Sequence, residues 1–241
     1  MKIGIIIPSF NVHESIEKTI LSITRQTLKN WELLIVDGAS TDGTVKIVHQ
    51  FSSKDKRIKY ISEKDDGIYN AMNKGVQLID CDYILFMGAG DILVDSCVLE
   101  EIESVLSQCR TDILYGYVYF GEKNNKAVYK KKINLLYTIR FRPVSHQALF
   151  SKRELLLDFA FDEKYKITSD QDWIMRQYKN GKSFKYINRA ICVYDVTGLS
   201  SNVDSLENSK REMEEILKFY FPRRVVLYKI IKKIRSLFLR G

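Results

Sequence analysis

The sequence predicts an α/β domain built on a doubly wound, mainly parallel sheet. Short β-branched apolar runs alternate with amphipathic segments over the first half of the chain, and small polar or acidic residues follow most of these runs. In addition, 45% of the residues are hydrophobic, with only 3 Pro and 12 Gly. Strands that alternate with helices form parallel sheets, and this composition is typical of a soluble globular protein.

Four strands and three helices are predicted in the first half of the chain. Each predicted strand is a short apolar run, and each predicted helix repeats apolar side chains at helical spacing, as Ile16, Ile20 and Ile23 do. The strands are Lys2–Pro8, Trp31–Val36, Ile58–Ser62 and Tyr83–Met87, and the helices are Ser15–Thr27, Thr44–Ser52 and Asp66–Ile79.

From Thr111 onward the pattern changes to strands joined by a polar turn, followed by two helices. The predicted strands are Asp112–Phe120, Ala127–Lys130 and Lys185–Val193, the turn is Glu122–Lys126, and the helices are Ser169–Lys179 and Ser205–Phe221. The stretch Asn134–Phe150, which precedes the first of these two helices, is rich in arginine and aromatic residues.

The positive charge of the chain is concentrated in its C-terminal tail. The net charge is +8, and Pro222–Gly241 carries seven basic residues and no acidic one, so the rest of the chain is near neutral. Apolar and basic positions there alternate at roughly helical spacing, which predicts a basic amphipathic helix over residues 222–241, typical of a membrane-surface element. A helix packed on the body or on a partner is the alternative. Nucleic-acid binding is disfavoured because the body is near neutral.

Membrane spanning and disulfide chemistry are both disfavoured. No apolar run reaches the roughly 18–20 residues that a spanning helix requires. The four cysteines have no CxxC spacing and no signal peptide precedes them, which favours reduced thiols in the cytoplasm and disfavours a zinc site.

Small polar or acidic residues follow three of the predicted strands: Pro8–Asn11, Asp37–Gly38 and Gly88–Asp91. The carboxyl ends of strands in a doubly wound sheet form the ligand crevice, which predicts a nucleotide site here. Neither GxGxxG after the first strand nor GxxxxGK[ST] is present, which disfavours the dinucleotide and P-loop phosphate sites. A divalent cation held by a carboxylate is the natural substitute, and Asp91 is its candidate ligand.

Over roughly residues 1–195 the chain resembles glycosyltransferase family 2. The segments that carry the resemblance are, in order, IIIPSFN, LLIVDGASTDGT, EKDDGIYNAMNKG, YILFMGAGD, PVSHQALFSKREL and FDEKYKITSDQDWIMR. The resemblance is nearest to bacterial O-antigen and capsule glycosyltransferases. It implies the GT-A fold, a nucleotide-diphospho-sugar donor, Mg²⁺ or Mn²⁺ as cofactor, and inversion at the anomeric carbon. We expect a catalytic domain over residues 1–221, with a nucleotide-sugar half (1–110), an acceptor half (111–221) and the basic helix (222–241) after it.

The resemblance also implies roles for individual residues. The residues expected to contact the donor are Pro8, Ser9, Asn11, Asp37, Asp66, Asn73 and Gly90. Asp37 corresponds to the acid that accepts a hydrogen bond from the base, typically a uracil imide. His146 and Arg142 are candidates for acceptor or diphosphate contact, and a structural histidine is the alternative at His146.

Two further acids correspond to the metal ligand and the general base of the family. Asp91 matches the last acid of the metal-binding DxD-type motif, which here keeps one carboxylate. Asp170 matches the acid of the "ED" motif, where Ser169 replaces the glutamate, and Asp172 offers a second acid. Because inverting transfer requires deprotonation of the acceptor hydroxyl, we prefer Asp170 as the base and keep Asp172 as the alternative.

The implied activity is that of an inverting hexosyl- or N-acetylhexosaminyltransferase in surface-polysaccharide synthesis. The expected donor is a UDP-sugar and the expected acceptor a polyprenyl-diphosphate-linked saccharide. The tail would hold the enzyme on the inner face of the bacterial inner membrane. Two alternatives remain: a non-catalytic nucleotide-sugar or partner-binding module, favoured by the depleted DxD-type motif, and a nucleotidyltransferase, which would release pyrophosphate.

Overall fold

The computed structural model describes residues 1–120, 127–129, 144–195, 203–223 and 226, with backbone alone at 127–129 and 203–205. The strands are β1 (Ile3–Ser9), β2 (Trp31–Asp37), β3 (Ile58–Ser62), β4 (Tyr83–Phe86), β5 (Ile92–Leu93), β6 (Ile113–Phe120), β7 (Ala127–Tyr129), β8 (Leu149–Lys152) and β9 (Phe184–Tyr194). The helices are α1 (Ile16–Thr24), α2 (Thr44–Ser52), α3 (Ile68–Leu78), α4 (Val98–Cys109), α5 (Arg153–Asp158), α6 (Ser169–Lys179) and α7 (Val203–Tyr220). A single 3₁₀ turn, His146–Ala148, precedes β8.

The described strands form one nine-stranded sheet in the order β3-β2-β1-β4-β8-β6-β9-β5, with β7 paired to β6. The predicted α/β class is therefore confirmed, but the sheet is mixed. Strands β3, β2, β1 and β4 are parallel, as predicted, and so are β6 and β9. Strand β8, which the sequence pattern did not reveal, runs antiparallel between β4 and β6, and β5 and β7 also pair antiparallel.

The central strands are buried on both faces of the sheet. All seven residues of β1 are buried. Alternate residues of β1 pack on opposite faces of the sheet. Ile5 belongs to the hydrophobic cluster that contains the α1 side chains, and Ile6 belongs to the cluster that contains the α3 side chains. Helix α3 lies close to the strand at Gly75, where an added Cβ would come 2.7 Å from Ile6 Cγ2. Continuous apolar runs are typical of strands covered on both sides.

The sheet runs through both halves of the proposed catalytic domain. Strand β4 of the first half pairs with β8 of the second, at Ile84 and Ser151. Two neighbouring strands of the second half, β6 and β9, run parallel to each other, and β6 and β4 both lie antiparallel to β8. The carboxyl ends of β1, β2, β4 and β9 therefore lie at the same edge.

Parts of the sequence prediction fall outside the described residues. These are the turn Glu122–Lys126, Arg142, and the basic helix over 222–241 apart from residues 222, 223 and 226. Within the described ranges, no helix is long and apolar enough to cross a bilayer.

Candidate active site

Asp37 lies at the carboxyl end of β2 between two serines of the neighbouring strands. Ser9 is its partner on β1 and Ser62 its partner on β3. The buried carboxylate accepts hydrogen bonds from Ser9 Oγ (3.2 Å) and Ser62 Oγ (2.7 Å). It also accepts from the amide (2.9 Å) and the hydroxyl (2.5 Å) of Ser40. The acid is therefore fixed by three hydroxyls at the edge where the parallel strands end.

A cavity of about 380 Å³ opens beside Asp37. It is lined by Phe10, Gly38, Ala39, Lys64 and Asp65. The Phe10 ring is 60% exposed at its rim, so an aromatic face is available to a planar ligand. The sequence pattern did not single out Lys64 and Asp65.

Asn11 joins the two loops beside this cavity. Its backbone is left-handed, with φ of 52°. Its N–H donates to Ser40 Oγ (2.8 Å), and its Oδ1 accepts from the Thr41 amide (3.0 Å). Pro8 is buried within β1, opposite Val36, so Asn11 shapes the loop while Pro8 belongs to the sheet.

Asp66 and Asn73 occupy different environments. Asp66 is exposed in the loop before α3. Asn73 is on α3, where its amide donates to the Phe161 carbonyl (3.0 Å) and to Glu163 Oε1 (3.0 Å), and its Oδ1 accepts from the Phe161 amide (2.9 Å). In this structure the Asn73 side chain therefore connects α3 to the segment before α6.

Asp91 is buried, 2% exposed, in the loop after β4. Its Oδ2 accepts from the Gly88 amide (2.7 Å), and its Oδ1 accepts from the Asp195 amide (2.9 Å). Burial raises the pKa of the Asp91 carboxyl, while these two amides and the positive field of His146 act to lower it. Asp91 therefore joins the loop after β4 to the chain that follows β9.

Asp195 is a site residue that the sequence analysis missed. It follows β9 directly, and its side chain lies against Gly90, where φ is +121° and an added Cβ would collide with the Asp195 carboxylate. Lys18 Nζ lies 3.1 Å from Asp195 Oδ2. Its position just after a strand is the same signal that identified Asp37 and Asp91, so the pattern at strand ends was sufficient to find it.

Asp170 and His146 form a hydrogen-bonded pair. Asp170 lies in the first turn of α6, and His146 begins the 3₁₀ turn before β8. The two side chains meet with 2.8 Å between His146 Nδ1 and Asp170 Oδ2. Tyr69 Oη on α3 lies 3.1 Å from Asp170 Oδ1, and burial together with the Asp170 charge raises the pKa of Tyr69 well above its ordinary value. Tyr69 is therefore neutral, and its one hydroxyl hydrogen is shared between Asp170 and the Ile167 carbonyl oxygen, which lies nearer at 2.7 Å.

Asp172 faces a different neighbour. Its Oδ2 lies 2.7 Å from Arg176 Nη2 on the same helix. Burial raises the pKa of Asp172, and the Arg176 charge opposes that rise. Of the two acids, Asp170 is the one in contact with His146.

Asp91 and Asp195 suit a hard divalent cation, since Mg²⁺ and Mn²⁺ prefer carboxylate oxygens. Among the described residues, no group of three or more His, Cys, Asp or Glu side chains converges on one point. The protein would therefore supply one or two carboxylates, with phosphate oxygens completing the coordination.

Comparison with known proteins identifies the family of the chain. The model of Glycosyl transferase family 2 matches residues 4–204. A PGL/p-HBAD biosynthesis glycosyltransferase of Mycobacterium bovis (strain BCG / Pasteur 1173P2) is 31% identical over 213 residues, which cover 86% of this chain and 82% of that protein.

Solved structures share the fold at low sequence identity. The structure of S. aureus TarS 1-349 in complex with UDP-GlcNAc has a TM-score of 0.72 and 19% identity, covering 91% of this chain and 71% of that chain. The chain spans only 43% of the longer TarS structure. The mannosyltransferase PcManGT from Pyrobaculum calidifontis, in complex with GDP-Man and Mn²⁺, has a TM-score of 0.66 and 15% identity, covering 98% and 75% of the two chains. Because the family model spans most of the sequence and the fold is shared, the chain belongs to glycosyl transferase family 2 and is a glycosyltransferase with the GT-A fold.

Proposed function

We propose that this glycosyltransferase moves a hexose or N-acetylhexosamine from a UDP-sugar to a lipid-linked saccharide, with inversion at the anomeric carbon. The observation that carries the proposal is the shared sheet edge. It combines an aromatic-rimmed cavity next to Asp37, the buried Asp91 carboxylate, and the Asp170–His146 pair.

The cavity beside Asp37 is proposed to bind the nucleoside. A base in it would stack on Phe10, and a uracil imide N–H would reach the buried Asp37 carboxylate by displacing one of the serine hydroxyls that now bond it. The UDP-GlcNAc complex of TarS, whose fold is similar, supports a UDP-sugar, while the GDP-Man complex of PcManGT keeps the guanine nucleotide as the alternative to be tested.

Asp91 and Asp195 are proposed to hold the divalent cation. When bound, the cation would offset the charge on the leaving diphosphate. Lys18, paired with Asp195, places a further positive charge at this position. The Mn²⁺ in the PcManGT complex supports the same class of cofactor here.

Asp170 is proposed as the general base, in preference to Asp172. Asp170 contacts His146, whereas Asp172 forms an ion pair with Arg176. Glu212 Oε2 on α7 accepts from the amide of Thr168 (2.9 Å) and so fixes the chain immediately before Asp170. The carboxyl is therefore held in a defined position for its role at the acceptor hydroxyl.

The acceptor is proposed to be polyprenyl-diphosphate-linked and to be met at the inner face of the bacterial inner membrane, where surface polysaccharides such as O-antigen and capsule are assembled. This proposal is supported by the tail, because residues 222–241 include seven basic residues and no acidic residue. Each basic residue near an anionic leaflet contributes about 1 kcal/mol.

Transfer is tested by incubating the full chain and Mn²⁺ with UDP-glucose, UDP-galactose and UDP-GlcNAc plus extracted polyprenyl-linked saccharides. UDP release and the mass of the lipid product are measured. We expect Asp91→Ala and Asp170→Asn each to lower the rate by about 10²-fold or more, and Asp158→Asn, an exposed acid on α5, to leave it unchanged. Transfer that survives both site substitutions would contradict the mechanism, and release of pyrophosphate would indicate a nucleotidyltransferase.

Membrane attachment is tested by sedimentation with phosphatidylglycerol vesicles. The full chain is expected to sediment with them, and a chain lacking residues 225–241 is expected to stay in the supernatant. Replacement of Lys229, Lys232 and Lys233 by Gln separates charge from apolar contact. If the deletion changes nothing, the tail packs on the body.

A further inference from the structure

Helix α1 and the turn after it carry a row of polar side chains that bind the backbone of the segment following β4. Each of these side chains accepts a hydrogen bond from one backbone amide of that segment. The pairs, acceptor first, are Thr19 with Gly90 (2.7 Å), Ser22 with Leu93 (3.2 Å) and Gln26 with Leu99 (3.0 Å). Spacings of three and four residues place the acceptors on one side of a helix. The row therefore holds the segment that begins with the loop of Asp91.

The bond to Thr19 lies next to the proposed cation ligands. Gly90 immediately precedes Asp91, and its φ of +121° is a conformation that other residues rarely adopt. An added Cβ there would collide with the Asp195 carboxylate. Gly90 is therefore adjacent to Asp91 in the chain and to Asp195 in space, and the Thr19 hydroxyl fixes its amide.

This bond is buried. The Thr19 side chain is fully inaccessible to solvent. Removal of its hydroxyl would leave the Gly90 amide without its acceptor in a place that water does not reach, which is costly for a buried donor. The preceding residue of α1, Lys18, places its Nζ 3.1 Å from Asp195 Oδ2. Helix α1 therefore contacts the loop of one proposed cation ligand and the side chain of the other.

We propose that Thr19 is a positioning residue for the divalent cation. By holding the Gly90 amide, it sets the Asp91 carboxylate relative to Asp195 before the cation binds. The inference rests on the proposed function, since it takes Asp91 and Asp195 as the cation ligands. It adds the residue that keeps them in place. Because Mg²⁺ and Mn²⁺ sites depend on ligand geometry and on the groups that orient the ligands, a site with so few protein carboxylates depends strongly on that placement.

Gln26 separates positioning from general stabilisation. Its side chain is also buried, and it makes more hydrogen bonds to the segment than Thr19 does, because its Nε2 donates to the Asp95 carbonyl (2.6 Å) and its Oε1 accepts from the Leu99 amide. These partners lie beyond the loop of Asp91. If the row only stabilised the fold, Gln26 would matter more than Thr19 in every measurement.

Calorimetric titration of UDP with and without Mn²⁺ tests the proposal. The Mn²⁺ effect is the ratio of the Kd for UDP without Mn²⁺ to the Kd with it. We expect Thr19→Val to reduce this ratio about tenfold or more, because the Gly90 amide loses its acceptor. The Kd without Mn²⁺ should stay unchanged, since the cavity beside Asp37 is not altered.

Two matched variants serve as controls for Thr19→Val. Thr19→Ser keeps the hydroxyl and is expected to keep the Mn²⁺ effect. Thr24→Val makes the same substitution on the same helix, where the hydroxyl donates to the Leu21 carbonyl (3.1 Å), and it should also keep the full effect. Gln26→Met is expected to lower Tm more than Thr19→Val does and still to retain the Mn²⁺ effect.

The outcomes separate this inference from the proposed function. If the wild type shows a Mn²⁺ effect and Thr19→Val retains it, only the inference is overturned. The inference is also overturned if the effect falls in parallel with Tm in Thr19→Val and Gln26→Met, because the row is then structural alone. If the wild type shows no Mn²⁺ effect, the proposed cation site fails and this inference fails with it.

A second measurement uses the protein without metal or nucleotide. Hydrogen exchange of the Gly90 amide is followed by NMR in ¹⁵N-labelled protein. We expect this amide to be protected in the wild type and to exchange about tenfold faster or more in Thr19→Val, with no change in Thr24→Val. Rapid exchange of Gly90 in the wild type would show that Thr19 does not hold the loop before the cation binds, and would overturn the proposal.

Discussion

The Glu212 carboxylate on α7 accepts hydrogen bonds from both the amide (2.9 Å) and the hydroxyl (2.8 Å) of Thr168, 44 residues earlier in the chain. The same carboxylate accepts from the amides of Lys166 (2.8 Å) and Ile167 (3.1 Å). These donors belong to the loop that precedes α6 and Asp170. Helix α7 therefore fixes the loop that leads into α6 and the proposed base Asp170.

Glu212→Ala should destabilise the protein because three backbone amides and one hydroxyl lose their acceptor. Hydrogen bonds to a charged group contribute about 1.5–3 kcal/mol, so we expect a loss of about 2 kcal/mol in the free energy of unfolding. Urea denaturation measures it. Glu207→Ala, an exposed position on the same helix, should change stability by less than about 0.5 kcal/mol. Equal midpoints for the two variants would show that the loop is held by other contacts.

Gly90→Ala should lower the free energy of unfolding by more than the backbone strain of a positive φ alone. Gly90 has φ of +121° and an added Cβ would collide with Asp195, whereas Gly181 has φ of +71° and open space around its Cα. We expect Gly181→Ala to cost about 1–2 kcal/mol. Gly90→Ala should cost more and should also abolish the rise in Tm that Mn²⁺ and UDP produce. The same loss in both variants, with the ligand effect retained, would contradict the position given to Asp195.

Phe10→Ala should weaken nucleotide binding without lowering stability. The ring is 60% exposed at the rim of the cavity beside Asp37. Stacking of a base on an aromatic side chain contributes about 1–3 kcal/mol, so the Kd for UDP measured by calorimetry should rise about tenfold or more. Phe219→Ala removes a 76% exposed ring from α7 and should leave the Kd unchanged. An unchanged Kd in both variants would place the base elsewhere.

Asp112→Asn should reduce stability in a pH-dependent manner. Burial tends to raise the pKa of Asp112, but hydrogen bonds from Ser183 and the ion pair with Lys152 bring it down to about 2. A lowered folded-state pKa stabilises the protein above about pH 4, and the contribution is lost as the pH falls toward 2. We expect a difference of about 1 kcal/mol at pH 7, reduced by solvent screening. It should shrink on acidification.

Urea denaturation at several pH values checks this prediction. The exposed Asp158→Asn serves as the control and should show no such trend. A difference for Asp112→Asn that stays constant down to pH 2 would mean that its carboxyl is not ionised through the Ser183 and Lys152 contacts.

Much of the first half of the fold was predictable, because β1, β2 and β4 are apolar runs that are buried along their whole length. The predicted strand Ile58–Ser62 and the predicted helix Thr44–Ser52 match the structure. The predicted elements lacked the 12-residue helix α4, and the other missing elements, β5, β8 and α5, are short. Strand β8 has only four residues, and it is a strand because it pairs with β4 and β6. Its insertion is also the reason that the sheet is mixed.

The candidate site was predictable where its residues follow strands. The pattern of residues after strands predicts that Asp37 and Asp91 lie at the same edge of the sheet. The Asp170–His146 contact was not predictable in the same way, since it depends on how α6 packs against the 3₁₀ turn. Glu212 was missed because an acid on an exposed helix face has no local feature that distinguishes it from its neighbours.

Calorimetric titration of UDP, GDP and dTDP into the wild-type protein and Asp91→Ala, with and without Mn²⁺, is the most direct test of the donor site. We expect the wild type to bind UDP in preference to the other two nucleotides and to do so more tightly with Mn²⁺. We expect Asp91→Ala to lose the Mn²⁺ effect. Binding that is equal for all three nucleotides, independent of Mn²⁺ and unchanged in Asp91→Ala would contradict the assignment of this sheet edge as a metal-assisted UDP-sugar site.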